Sequence, residues 1–173
     1  MYKRQLNYSF VTPYISFVVT SRNDNHGEGM KKRMLLFMNG LIHQCRKHNL
    51  PAELIMVEWN PPGDTPLLHE VLPKPEKDDP LRIRYIIVPE EIHAQYKRGK
   101  EIPLFQMTAK NVGIQRAKGK FICCTNVDLL FPDEMFEILA KQDLDPQNYY
   151  RANRCDVPDQ IELDWDFEKQ IDF

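Results

Sequence analysis

Several features that would place this chain in a special class of proteins are scarce or absent. Only 7 of its 173 residues are glycine, and no G-x-G-x-x-G motif follows the first apolar run, which argues against a dinucleotide-binding oxidoreductase. The four cysteines have spacings that match neither a zinc motif nor a disulfide framework. No apolar run approaches the roughly 20 residues that a membrane-spanning helix needs.

An excess of charge of one sign is also missing. The net charge is −2 with both signs mixed, so no bulk field recruits nucleic acid or an anionic membrane. Residues 1–6 lead into a polar stretch rather than an apolar signal core. We therefore expect a cytoplasmic protein whose cysteines are buried free thiols, namely Cys45, Cys123, Cys124 and Cys155.

Length and patterning predict a single domain over residues 1–173. The chain is 42% hydrophobic and 28% charged, which suits one globular core. Apolar runs typical of covered strands alternate with helical periodicity, which predicts an α/β fold with a mostly parallel sheet flanked by helices. The predicted strands are residues 14–20, 53–58, 81–88 (nearer an edge), 120–125 and 149–153. The predicted helices span residues 30–45 and 104–117, with a third that Pro132 opens.

Polar loops follow three of these strands at their C-terminal ends, at residues 21–27, 59–64 and 125–128. Ligands of parallel sheets bind beyond the C-terminal ends of the strands. A single site built from the three loops is therefore the economical hypothesis.

The last of these loops carries the most informative residues. A short apolar strand leads into Asn126 and Asp128, and a carboxylate at this edge can hold a divalent metal ion, which in turn can hold a diphosphate. The segments A-K-N-V-G-I at 109–114 and A-K-G-K at 117–120 come before that strand.

Together these segments resemble the nucleotide-sugar-binding half of inverting family 2 glycosyltransferases, whose pattern is roughly R-N-x-G-x-x-x-A-x-G, a strand and then D-x-D. The match spans residues 14–136. Asn111 matches the family directly, Lys110 stands in place of its arginine, Asn126 replaces the first Asp and Asp128 matches the second. The resemblance implies a Rossmann-like GT-A nucleotide-diphospho-sugar transferase fold with a short or missing acceptor half.

The resemblance also implies an activity, a metal and a set of contacts. A sugar would move from a nucleoside-diphosphate sugar, a UDP-sugar first among them, to a saccharide or other hydroxyl acceptor. Mn²⁺ or Mg²⁺ would neutralise the leaving diphosphate, held by Asp128 and Asn126. The residues implied in nucleotide binding are Thr20, Ser21, Arg22, Asp24, Glu58, Asn60, Lys110, Asn111 and Asn126.

Each of these assignments has a plainer alternative. Asp128 is also a candidate turn or capping residue ahead of the helix that Pro132 opens. Trp59 can stack on a base or pack beneath its proline-rich loop. The literal D-x-D sequences at 143–145 and 164–166 do not follow buried strands, so we expect neither to hold the metal.

The expected general base has no clear candidate. The chain ends soon after the acceptor half should begin, in an acidic tail over residues 156–173. Two functions therefore remain: a glycosyltransferase, or a nucleotide-sugar-binding module that needs a partner or a further segment for transfer. The carboxylates available in the tail are Asp156, Asp159, Glu162, Asp164 and Asp166.

Overall fold

The structure is a computed structural model that describes residues 12–24, 28–157 and 160–172. Within these ranges the chain forms a four-stranded sheet, ordered β3-β2-β1-β4, in which every pair of neighbours is parallel. The strands are β1 (Ile15–Ser21), β2 (Ala52–Trp59), β3 (Leu81–Val88) and β4 (Phe121–Cys124). The helices are α1 (Met30–Lys47), α2 (Leu68–Val71), α3 (Glu90–His93), α4 (Gln106–Ile114), α5 (Asp133–Ala140) and α6 (Phe167–Asp172).

The fold confirms the predicted α/β class. Alternate residues of β1 enter two separate apolar clusters, with Phe17 and Val19 in one and Val18 in the other. Helices α1 and α5 contribute to the first cluster and α4 to the second, so both faces of the sheet are covered. This double coverage explains why β1 and β2 are buried along their whole length.

Two details of the strand prediction can be compared with the structure. Strand β3 lies at an edge, as its alternating pattern predicts. The strand predicted at residues 149–153 is wrong, because this segment is irregular. The Tyr150 hydroxyl accepts a hydrogen bond from the Asp145 amide at 2.8 Å, and its ring meets Phe121 edge-on. Tyr150 therefore fixes a loop rather than belonging to a strand.

Two glycines of the motif region allow close packing. A β-carbon at Gly113 would lie 2.5 Å from Val18 Cγ1, so the absence of a side chain lets α4 approach the sheet. A β-carbon at Gly119 would lie 2.6 Å from the backbone nitrogen of Ser16. Both glycines thus have a packing role, whatever ligand the fold binds.

The acidic C-terminal segment packs against α1. The Phe167 ring stacks on His43 with centroids 4.6 Å apart, and a β-carbon at Gly40 would come within 2.9 Å of it. Lys32 pairs with Glu162 at 2.9 Å. Residues 160–172 therefore cover the outer side of α1 instead of leading away from the domain.

The cysteines are free, but not all of them are buried. Cys45 is buried, whereas Cys124 and Cys155 are exposed, so the prediction of buried thiols is wrong for those two. Cys124 is exposed because β4 is an edge strand and Cys124 points away from the face on which Cys123 packs. Burial raises the pKa of Cys123 to about 11. In the part of the chain that the structure describes, no helix is long and apolar enough to cross a membrane.

Candidate functional site

The sheet order creates a crevice between β1 and β4. From β1 the chain proceeds outward to β2 and β3, then returns by way of α4 to place β4 on the other side of β1. The strand order therefore reverses direction at β1, although the helices that follow β1 and β4, α1 and α5, pack into the same apolar cluster. Ligands of open α/β sheets bind at such a switch point.

A cavity of about 80 Å³ lies at this place. We call it the switch-point cavity. Four residues predicted for the site line it: Thr20 and Ser21 at the end of β1, and Asn126 and Asp128 after β4. The structure thus brings the first and the last of the three predicted loops together. The remaining lining residues are Met30, Leu104, Gln106 and Val127.

Ser21 supplies a buried hydroxyl without a protein partner. The residue is 1% exposed, and its Oγ neither donates nor accepts a hydrogen bond within the described residues. Its neighbour Thr20 differs, because its hydroxyl donates to the Val57 carbonyl at 2.8 Å and so joins β1 to β2. Burying a hydroxyl without a partner costs roughly 1–3 kcal/mol, so the Ser21 hydroxyl is a group that a ligand can satisfy.

Lys110 does not line the cavity, but it bonds a residue that does. Its ammonium donates to Asn126 Oδ1 at 2.7 Å, and the Gln106 amide approaches the same oxygen at 3.4 Å. Helix α4 positions both donors, since Gln106 and Lys110 are four residues apart and lie on one face. The amide of Asn126 therefore holds a lysine beside the place where a ligand would bind.

The N-termini of two helices meet at the same cavity. Helix α1 begins at Met30 and α4 at Gln106, and both residues line the cavity. Neither helix has an acidic residue in its first turn, and in the described residues neither has a hydrogen bond from a capping side chain. Helix N-termini carry partial positive charge and free amides, which favour a bound anion.

Asp128 is the carboxylate of the site. It is exposed at the cavity rim and does not cap α5, whose N-cap residue is Pro132. Across residues 12–24, 28–157 and 160–172, no group of three acidic, histidine or cysteine side chains could hold a metal ion. One carboxylate beside an amide that already bonds Lys110 fits Mg²⁺ or Mn²⁺ only where phosphate oxygens complete the coordination.

Glu58 is turned into the protein. It is 0% exposed, and both carboxylate oxygens accept from the Leu68 amide, at 3.1 and 3.0 Å. Burial raises the pKa of Glu58. Glu58, which the resemblance implied in nucleotide binding, thus anchors α2 in this structure and lies outside the switch-point cavity.

Arg22 and Asp24, two of the residues implied in nucleotide binding, form an ion pair at 3.0 Å. The Arg22 guanidinium also donates a hydrogen bond to the Pro103 carbonyl at 3.0 Å. Asn60 donates to the same carbonyl at 3.2 Å. The residues therefore hold the loop before α4, and they do not line the cavity. Asn111 is exposed on α4 and lies outside the cavity as well.

Trp59 follows the packing alternative. It is 1% exposed, and its indole N–H donates to His93 Nδ1 at 2.8 Å. Because Nδ1 accepts, the proton of a neutral His93 is on Nε2, which donates to the Gly99 carbonyl at 2.7 Å. This chain of bonds fixes the connection between β3 and α4.

The literal D-x-D sequences have local roles. Asp145 accepts from the Gln147 amide at 2.9 Å within a turn, and Asp166 accepts from the Lys169 amide at 2.8 Å at the start of α6. Neither lines the switch-point cavity. Residues 25–27 of the first predicted loop, and Asp159, lie outside the described residues.

Sequence reasoning missed four lining residues, of which Gln106 matters most. The signal for it was weak, because α4 begins after Phe105 and has no serine, threonine or aspartate at its N-cap. Comparison with models of protein families, with curated proteins and with solved structures finds no match for this chain.

Proposed function

We propose that the chain binds the diphosphate of a nucleoside-diphosphate sugar at the switch-point cavity and transfers the sugar to a hydroxyl acceptor, as a GT-A-like glycosyltransferase. The observation that carries the proposal is the presence at one cavity of the Ser21 hydroxyl and the N-termini of α1 and α4, with the Lys110 ammonium bonded to Asn126 of its lining. All of these groups favour an anion with several oxygen acceptors.

The size of the cavity supports a phosphate rather than a whole nucleotide as its occupant. Its volume of about 80 Å³ compares with the roughly 30 Å³ that one water occupies. A phosphate group fits this space, while the base and the sugar would extend over the open surface beside it.

The residues divide the work as follows. Ser21 donates to a phosphate oxygen, and Lys110 turns from Asn126 to the diphosphate and offsets its charge. Asp128 would hold a divalent cation jointly with the phosphate oxygens. That cation would supply stabilisation of the negative charge that grows on the leaving diphosphate.

A second candidate function is binding without transfer. The tail carboxylates that the structure describes are exposed, and two of them form ion pairs: Asp156 pairs with Arg154 at 3.1 Å and Glu162 with Lys32 at 2.9 Å. In the described part of the tail, none of the acidic residues lines the cavity. This observation favours a module that needs a partner, or a further segment, to activate the acceptor.

Thermal-shift measurements with UDP and other nucleoside diphosphates, each with Mn²⁺ and with EDTA, test the binding step. A ligand of the folded state must raise the melting temperature. We expect stabilisation by a diphosphate that is reduced in Ser21→Ala and in Lys110→Met and unchanged in the exposed control Lys141→Met. Equal stabilisation of all four proteins would contradict the proposed site.

Release of nucleoside diphosphate from nucleotide-sugars, with and without simple sugar acceptors, separates the two candidate functions. Acceptor-stimulated release identifies a transferase. Binding with no acceptor-stimulated release identifies the module.

A further inference from the structure

A second cavity lies beside edge strand β3, against α2 and the segment that joins α2 to β3. Its volume is about 510 Å³, and it shares no lining residue with the switch-point cavity. We call it the edge cavity. Sites for small organic molecules usually measure roughly 300–1,000 Å³. The lining residues that matter here are His69, Lys74, Lys77, Arg82, Ile83 and Tyr85.

Two buried polar atoms belong to the lining of this cavity. Tyr85 Oη and His69 Nδ1 have no hydrogen-bond partner within the described residues, and their rings are neighbours with centroids 5.8 Å apart. Each buried polar atom left unpaired costs roughly 1–3 kcal/mol. A ligand group that both donates and accepts hydrogen bonds can satisfy such atoms.

The wall opposite β3 is held in place by ion pairs. Asp79 is 5% exposed and accepts from Arg46 at 2.6 and 2.8 Å and from the Glu76 amide at 2.7 Å. Arg82 in turn donates to the backbone carbonyl of Lys77 at 3.2 Å and to that of Asp79. These bonds hold the segment that joins α2 to β3, which forms one side of the cavity, against the sheet edge and α1.

The rim of the edge cavity is positively charged. Lys74, Lys77 and Arg82 line it, and the acidic residue among the lining, Glu76, lies 3.2 Å from Arg46. The lining residues thus carry three positive charges and one negative charge, and Glu76 shares Arg46 with Asp79. A ligand with a negative group at the rim gains from this balance.

The buried end has the opposite character. Burial and the nearby Glu58 carboxylate raise the pKa of Tyr85 to about 12, so its hydroxyl keeps its proton at neutral pH and can donate. The same carboxylate disfavours an anion there. A neutral hydroxyl or amine suits the buried end, and Ile83 and the Tyr85 ring contribute apolar surface to the lining.

We infer that the edge cavity binds a flat aromatic acid, with its carboxylate at the lysine and arginine rim, its ring against Ile83 and Tyr85, and a hydroxyl at the far end bonded to Tyr85 and His69. The site is separate from the one proposed above for the diphosphate.

The probe is 6-hydroxy-2-naphthoate, titrated calorimetrically into the whole protein. Two analogues dissect its binding: 2-naphthoate lacks the hydroxyl, and 6-hydroxy-2-naphthamide lacks the charge. We expect each analogue to bind about fivefold more weakly than the probe, because each loses one polar interaction. Absence of heat with the probe up to millimolar concentration overturns the inference.

Matched variants assign each preference to its residues. Tyr85→Phe keeps the ring and should remove the preference for the hydroxyl, and Lys74→Gln with Lys77→Gln should remove the preference for the carboxylate. The control pair Lys100→Gln with Lys141→Gln removes the same charge from exposed positions outside the cavity. Preferences that persist in the test variants, or that the control pair also loses, contradict the inference. Circular dichroism confirms that each variant is folded.

Discussion

At the scale of single residues, Asn126 is expected to set the affinity of the proposed site for a metal ion. Its amide oxygen accepts from Lys110 at 2.7 Å, so the positive charge of Lys110 meets a neutral acceptor rather than a carboxylate. Asn126→Asp adds one negative oxygen, which hard cations prefer. We expect tighter Mn²⁺ binding in the presence of UDP, measured by electron paramagnetic resonance titration. The control is Asn39→Asp, which adds the same charge on an exposed position of α1. Equal effects of the two substitutions would show that Asn126 is remote from the ion.

Asp133 links stability to pH. Hydrogen bonds from Lys47 and from His48 lower the pKa of Asp133 to about 2. Since its pKa is near 3.9 in an unfolded chain, the carboxylate stabilises the folded state above that value, and this contribution disappears as the pH falls through about 2. The side chain is 39% exposed, which limits the effect to below about 1 kcal/mol.

The measurement for Asp133 is the melting temperature from pH 6 down to about pH 2. We expect the difference between the wild type and Asp133→Asn to be largest at the upper end and to vanish at the lower end. A difference that stays constant over this range would show that the ion pairs to Asp133 do not contribute.

At the scale of elements, α4 carries the site and owes its position to Gly113. Gly113→Ala should improve helix propensity, yet its β-carbon would come within 2.5 Å of Val18 Cγ1. We expect the clash to prevail and to lower the free energy of unfolding by about 1–3 kcal/mol, measured by urea denaturation. Gly63→Ala is the matched control, because nothing lies within 4 Å of a β-carbon there. Similar stability in the two variants would mean that α4 does not pack tightly on the sheet.

The elements also show what a sequence can predict. Hydrophobic patterning identified β1, β2, β3 and β4 because covered strands need continuous apolar runs. Parallel strands place their C-terminal ends at one edge, so the proximity of Ser21 to Asn126 and Asp128 followed from the strand prediction alone.

Side-chain direction could not be predicted in the same way. Glu58 ends β2 as expected, but its carboxylate bonds the Leu68 amide, which depends on the path of the loop between them. The start of α4 at Gln106 has no capping residue to mark it. Tyr150 belongs to a loop because its hydroxyl accepts from the Asp145 amide, five residues earlier in the chain, a contact that β-propensity does not encode.

At the scale of the whole molecule, the N-terminal end of the sheet is held together by a hydrogen-bond network, whereas the C-terminal end carries the proposed ligand site. At the N-terminal end, the buried Glu53 carboxylate accepts from Ser16 at 2.7 Å, from Arg84 at 2.9 Å and from the Lys118 amide at 2.5 Å. Burial alone would raise the pKa of Glu53, but these bonds together hold the pKa below its usual value. This network joins β1, β2 and β3 to the chain that enters β4. At the C-terminal end, the Ser21 hydroxyl beside the switch-point cavity has no hydrogen-bond partner among the described residues.

Stability and ligand binding should therefore respond to different substitutions. Glu53→Gln weakens three hydrogen bonds to a charged group, so we expect the free energy of unfolding, measured by urea denaturation, to fall by about 1–3 kcal/mol. The affinity of the folded protein for UDP and Mn²⁺ should not change.

Asp128→Asn alters an exposed side chain, so we expect unchanged stability and loss of the difference between Mn²⁺ and EDTA in UDP binding. Asp164→Asn, exposed and outside the cavity, should change neither. If Asp128→Asn instead lowered stability and left metal-dependent binding intact, the C-terminal end of the sheet would be structural and the proposed site would have to lie elsewhere.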